Sequence, residues 1–215
     1  MKLDLTPHTG TKHTLFPKTK DELRRMIYSE IDENGNKCSL NHIDVSKIED
    51  MSGLFYASNF NGNISDWDVS KVTTMVCMFD ESEFDGDISE WDVSGVTDMR
   101  YMFYKSEFNG DISQWDVSNV MNMEHMFIES KFNGDISQWD VSSVTNMQYM
   151  FAFSEFNKDI SDWNVLNVRS MQYMFAWSEF NIDISDWNVS NVIDMINIFK
   201  GCPLERIKKM QPKFK

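Results

Sequence analysis

Asp68, Asp92, Asp116 and Asp140 stand 24 residues apart, and Asn164 and Asn188 continue the series. A second acidic row, Asp87, Asp111, Asp135, Asp159 and Asp183, keeps the same interval. If successive copies stack, each row becomes a line of carboxylates about one strand spacing, ~4.8 Å, apart. Like charges that close repel, and calcium, a hard cation that takes oxygen ligands, would relieve the repulsion. The competing reading is structural: Asp and Asn in turns accept hydrogen bonds from backbone N–H groups or from an indole. No EF-hand or nonapeptide calcium motif accompanies the rows, and Asn replaces the acid in the last two copies of the first. The structural reading is therefore preferred, and no metal or cofactor is expected. The column Asn61, Asp85, Asn109, Asn133, Asn157 and Asn181 reads as a structural polar ladder of the same kind.

A second group is aromatic: Tyr101, Tyr149, Phe153, Tyr173 and Trp177. If a helix continues past Phe151, Tyr149, Phe153, Tyr173 and Trp177 lie opposite its core stripe. Cys77, His125 and Asn197 hold the place of Tyr101 in other copies. Exposed aromatics on one edge suit the docking of a protein or a sugar ring. Alternatively they stack on one another to seal the surface, or Trp177 packs on the C-terminal segment. The candidate partner-binding residues are thus these five aromatics together with Asp68, Asp92, Asp116 and Asp140.

Catalytic arrangements are missing from the sequence. His42 and His125 are isolated, His8 and His13 lie in a Thr/Lys-rich stretch without further ligands, and no Ser/His/Asp grouping or phosphate-binding glycine loop occurs. Gly86, Gly110 and Gly134 are glycines of a repeated turn. Cys38, Cys77 and Cys202 share no spacing and make an odd number, which argues against a disulfide framework or zinc site. The chain reads as a non-enzyme.

The positioning elements follow from the period. Trp67, Trp91, Trp115, Trp139, Trp163 and Trp187 are 24 residues apart, as are Phe60 to Phe180, Phe55 to Phe199 and Met75 to Met195. Identical apolar positions at such an interval are the mark of a repeat array whose copies stack on one another. Within one copy, Trp115-Asp116-Val117 alternates like a strand, whereas Val120, Met123, Met126 and Phe127 recur like one face of a short helix behind a Ser118 cap. The expected fold is a right-handed α/β solenoid. Each 24-residue coil is a short strand plus a short α- or 3-10 helix, with a parallel sheet on one side. About seven coils make a rod on the order of 30 Å, curved with the strand side inward.

Four segments are expected: an extended arm over 1–18, a capping helix and turn over 19–39, one partial and six full repeats over 40–203, and a C-terminal cap with basic tail over 204–215. Thr19 caps the helix, Asp21 and Glu22 suit its first turn, Leu23, Met26, Ile27 and Ile31 form its apolar stripe, and Asn34-Gly35 ends it. The 215 residues carry a formal charge of −14, unevenly spread. Residues 40–199 hold 7 basic and 27 acidic side chains, a net of −20, while residues 200–215 hold six basic and one acidic. An acidic body disfavours nucleic acid and anionic membrane as partners. No 18-residue apolar run and no signal-peptide core occurs in the sequence, so no membrane span and a cytoplasmic location are expected from this reading.

The unit FNGDISQWDVSNV with its following N-M and M-F pairs, and above all the run W-D-V-S-x-V-x-x-M-x-x-M-F, resembles the BspA-type leucine-rich-repeat surface proteins of bacteria over residues 40–200. The helical leader from Thr19 to Gly35 resembles the lead-in before such arrays. The resemblance implies that the solenoid is leucine-rich-repeat-like, together with cell-surface association and binding or adhesion without catalysis. The expected function is a scaffold that binds a protein or a cell-surface glycan, as a monomer or a weak end-to-end dimer. Two other readings stand beside it: an acidic nucleic-acid mimic inhibiting a basic protein in the cytoplasm, and a purely structural module.

Overall fold

The structure is a computed structural model that describes residues 12–214; His8 and most of the expected arm lie outside them. Leu15 forms an isolated parallel bridge to Ile43, which ties residues 12–18 to the first lap of the stack.

Helix α1 spans Lys20–Asn34. The Thr19 hydroxyl accepts the Glu22 N–H at 3.2 Å, and Asp21 and Glu22 face the positive end of the helix dipole. Gly35, at φ +82°, ends the helix by donating its N–H to the Ile31 carbonyl. Leu23 and Ile27 are fully buried against the first lap, with Met26 and Ile31 beside them. On the polar side Lys20 meets Asp50 at 2.6 Å, and Arg24 reaches the Ser52 carbonyl at 3.5 Å.

Beyond α1 the backbone completes one lap every 24 residues. Isolated parallel bridges join Asp50 to Thr74, Thr74 to Asp98, Asp98 to Asn122, Asn122 to Asn146, Asn146 to Ser170 and Ser170 to Asp194. Trp, Phe, Ile, Val and Met columns form one continuous buried core, and all six periodic tryptophans lie in it at 5% exposure or less. Such a core is shared between neighbours, so no lap is stable alone.

The expected α/β solenoid is overturned by how each lap is built. Among the described residues there is no strand longer than a bridge and no sheet, and the only helix besides two 3-10 turns is α1. The leucine-rich-repeat-like alternation of strand and helix is therefore absent. At Trp67-Asp68-Val69-Ser70, the Asp68 carboxylate accepts the Ser70 N–H at 3.1 Å and Val72 N–H returns to the Val69 carbonyl at 2.8 Å. The W-D-V-S alternation that mimics a strand is thus a pair of tight turns. In the stretch expected to be helical, Met78, Asp80 and Ser82 donate to the carbonyls of Met75, Cys77 and Phe79 in successive turns. The N–H groups between them, those of Met75, Cys77, Phe79 and Glu81, donate instead to Asp98, Arg100, Met102 and Tyr104 of the next lap. Left-handed backbone at Cys77 (φ +55°) and Glu81 (φ +54°) makes this alternation possible and forbids an α-helix. The C-terminal cap is likewise shorter than a helix, made of 3-10 turns at Pro203–Arg206 and Lys208–Met210 around buried Leu204.

This wiring also reverses the expected curvature. Ring centres along the Tyr101/His125/Tyr149/Tyr173 column are 4.5–4.8 Å apart, whereas Trp67 and Trp91 are 6.3 Å apart and Trp163 and Trp187 6.4 Å. The hydrogen-bonded side runs through the segment read as helical, so the stack bends toward that side and fans out on the W-D-V-S side.

Lap is joined to lap by side chains as well. Each periodic indole N–H donates to a carbonyl 27 residues earlier, as Trp115 does to Ile88 at 3.0 Å. The Asn61 side chain accepts the Asp85 N–H, Asp85 accepts from Asn109, and the ladder continues to Asn181 in steps of 24 residues. These bonds satisfy the indole N–H and the ladder amides within the repeat itself, which lets a polar turn sit between two apolar columns.

Candidate functional site

The five candidate aromatics fall on the tight side in two columns. Tyr101, Tyr149 and Tyr173 share one column with His125, all four at φ between +54° and +59°. The rings stack face to face, and Asn197 closes the column by donating its side-chain N–H to the Tyr173 hydroxyl at 2.7 Å. Phe153 and Trp177 share the second column at φ +56° and +54°, stacked 4.8 Å apart. Tyr173 and Trp177, 6.0 Å apart, join the two. Ala152 and Ala176, with Ile128, form a small buried floor of their own, against which Tyr149 and Tyr173 pack. The short alanines let the tyrosine rings of the first column lie down over them.

A bulky residue in the left-handed region is uncommon, because its Cβ crowds the following carbonyl. The sequence signal that could have revealed these positions is present: Gly53 and Asn197 stand in the first column and Gly201 in the second, where such backbone is cheapest. Sequence reasoning placed the aromatics on a helix face and so missed that two whole columns share this conformation. Mutual stacking offsets part of the strain. Even so, Phe153 and Trp177 remain 48% and 42% exposed, while their column mates are Ala57, Glu81, Lys105 and Glu129. At Gly201 an added Cβ would come within 2.6 Å of the Trp177 ring, so glycine is required there for the indole to lie flat.

The acidic candidates lie on the opposite, fanned side, and the structure does not bring them to the aromatics. Asp68, Asp92, Asp116 and Asp140 are all exposed, and each holds the N–H of the serine two residues on, at 2.9–3.1 Å. The row at Asp87, Asp111, Asp135, Asp159 and Asp183 does the same. These bonds favour the ionised carboxylate and lower the pKa of Asp87, Asp111, Asp135, Asp159 and Asp183 through the serine N–H, and that of Asp140 through the Ser142 side chain first. No group of three or more His, Cys, Asp or Glu side chains that could hold a metal comes together among the described residues.

Two titrating groups sit off these rows. His125, between the rings of Tyr101 and Tyr149, has its pKa lowered by burial, against the opposing pull of Glu124. Asp80 is buried with one carboxylate oxygen unpartnered, and burial pushes its pKa up to about 6. An acid whose pKa is higher folded than unfolded opposes folding once both states ionise, so stability is lost as pH rises from about 4 to about 6. Asp80→Asn is expected to remove that loss and to add about 1–2 kcal/mol at pH 7. Urea midpoints of the two proteins at pH 4.5 and pH 7 check it; equal differences at both pH values would show that Asp80 is not the source.

A continuous stack of 24-residue laps, closed at one end by a helix and carrying an aromatic edge, defines a repeat protein. The chain belongs to the family described as Mycoplasma protein of unknown function, DUF285, whose pattern matches residues 22–131 and 105–210. No curated protein and no solved structure matches it. Among the described residues no helix is long and apolar enough to cross a membrane.

Proposed function

We propose that the chain is a non-catalytic repeat scaffold that holds a partner protein against the patch formed by Tyr149, Phe153, Tyr173 and Trp177. The observation that carries this reading is the exposure of two stacked rings, Phe153 and Trp177, at backbone positions where smaller or charged residues serve the other laps. Large aromatics in rigid, half-open settings are the usual anchors of protein interfaces. A protein fits better than a glycan, because sugar stacking needs a free ring face. One face of Trp177 meets Phe153, while Lys200 stands 5.0 Å over the ring and the Gly201 backbone packs close beside it, leaving mainly ring edges open. Kinship to BspA-type surface repeats and a cell-surface setting are part of the same proposal, supported by the W-D-V-S-x-V-x-x-M-x-x-M-F run. The acidic-mimic reading has less support: its carboxylates lie on the fanned side, beside tryptophans 6.3–6.4 Å apart, far sparser than duplex phosphates at one per ~1.7 Å.

The test is capture with the intact chain and with Phe153→Ser/Trp177→Ser, followed by titration of the captured protein against both. The double variant is expected to bind at least about tenfold more weakly, with little response to salt. Equal affinity would sink the assignment, and so would binding by glycans that the double variant loses in place of protein.

A further inference from the structure

Along one strip of each lap the backbone bonds to the neighbouring lap all point one way. In six successive laps, from Met51 to Trp177, four alternate N–H groups donate to carbonyls of the following lap at 2.7–3.1 Å. In this strip the N–H groups face the C-terminal end of the stack and the carbonyls the N-terminal end, whereas elsewhere in the lap N–H groups such as those of Thr97 and Glu107 donate back to the preceding lap. The two ends of the strip are therefore chemically opposite. At the carbonyl end α1 supplies cations: Arg24 binds the Ser52 carbonyl and Lys20 stands on Asp50.

At the other end the row continues as Met195, Asn197, Phe199 and Gly201. Only Gly201 finds an acceptor, the Glu205 carboxylate at 2.9 Å, and the other three backbone N–H groups have none among the described residues. Beside them runs a groove of about 220 Å³ lined by Lys200, Lys208, Gln211 and Phe214 among others. The same lap carries isoleucines that are 78% exposed at Ile193 and 55% at Ile196, where earlier laps place mostly polar or charged residues. An unpaired donor row, flanked by cations and apolar side chains, is a template for one more run of backbone.

We propose that this end binds an extended acidic segment of a partner protein, laid along residues 193–201 as the next lap would be. Its carbonyls take the N–H groups of Met195, Asn197 and Phe199, its carboxylates face Lys200 and Lys208, and its apolar side chains cover Ile193 and Ile196. Glu205 shows the chemistry on a small scale, since an anionic oxygen already fills the fourth place in the row. The charge supports the choice: residues 200–215 hold six basic side chains and one acidic. This surface adjoins the aromatic patch where Lys200 stands over the Trp177 ring, but its donor row is its own, so either assignment can fail alone.

A suitable probe is the synthetic peptide MNMEHMFIES, residues 121–130 of this chain, whose carbonyls at Asn122, Glu124, Met126 and Ile128 accept such a row inside the stack. Binding to the full-length protein is followed by amide hydrogen exchange and by sedimentation. The expected result is at least about tenfold slower exchange at Met195, Asn197 and Phe199 on adding peptide. The Glu124→Lys/Glu129→Lys peptide should bind at least about tenfold more weakly, and Lys200→Glu/Lys208→Glu protein should lose the native peptide by a similar factor. Four outcomes overturn the proposal: no protection, protection elsewhere, protection by phosphate or acetate as well as by peptide, or protection without peptide in a sample that sediments as a dimer. The Phe153→Ser variant, which leaves Trp177 under Lys200, should keep peptide binding unchanged.

Discussion

Trp115→Ala is expected to lower the stability of the stack by about 3–5 kcal/mol. The indole is 4% exposed, packs against Phe103 in the core and donates to the Ile88 carbonyl at 3.0 Å. Truncation leaves a cavity in the middle lap and orphans a buried acceptor at once. Trp115→Phe keeps most of the volume and loses only the bond between laps, so it should cost about 1–2 kcal/mol. Urea unfolding of the two variants separates these contributions. The alanine protein is further expected to unfold over a broader range, because damage at a middle lap uncouples the halves on either side of it. A Trp115→Ala midpoint equal to that of the unaltered chain would show that the tryptophan column does not hold the laps together.

Removing residues 108–131, one whole lap, is expected to leave a folded and cooperative protein, while removing 108–119 alone should destroy it. The longer deletion joins Glu107 to Phe132, and four of the six repeats already place Glu before that phenylalanine. The tryptophan, phenylalanine and methionine columns close up without a shift, and the ladder from Asp85 finds Asn133 where Asn109 had been. The half-lap deletion sets Trp139 where the preceding lap offers no matching carbonyl, and misaligns every column downstream. Circular dichroism with urea titration distinguishes the outcomes. The full-lap deletion should keep a sharp transition with a denaturant slope smaller by roughly a sixth, in proportion to the surface exposed. If both deletions behaved alike, the 24-residue period would be a property of the sequence and not of the stack.

Much of this was open to reading in the chain itself. The interval of 24, the core columns and the cap from Thr19 to Gly35 follow from apolar spacing and capping chemistry, and the structure places those side chains accordingly. The interior of a lap was not legible in the same way, because periodicity reports which residues face inward and not how the backbone gets them there. Trp115-Asp116-Val117-Ser118 alternates as a strand would, yet the Asp116 carboxylate holding the Ser118 N–H at 3.0 Å folds it into a turn. Met123, Met126 and Phe127 recur as on a helix, yet left-handed His125 and Glu129 break that path, and the N–H groups of Met123, His125 and Phe127 leave for the next lap. Gly53, Asn197 and Gly201 were the clue, standing at multiples of 24 from the aromatics. Of the candidate site, the sequence shows the aromatics recurring at matching places in their laps, but their stacking in two columns and their separation from the acidic rows depend on the backbone path.

The indole bonds give the molecule a direction in time as well as in space. Trp91 reaches back to Ile64, Trp139 to Ile112 and Trp187 to Ile160, so each acceptor is made before its donor. A chain leaving the ribosome finds α1 already emerged as a lid, and each new stretch of 24 residues meets a finished surface to settle on. Synthesis and assembly can then proceed in step, with nascent apolar columns waiting no longer than one lap for cover.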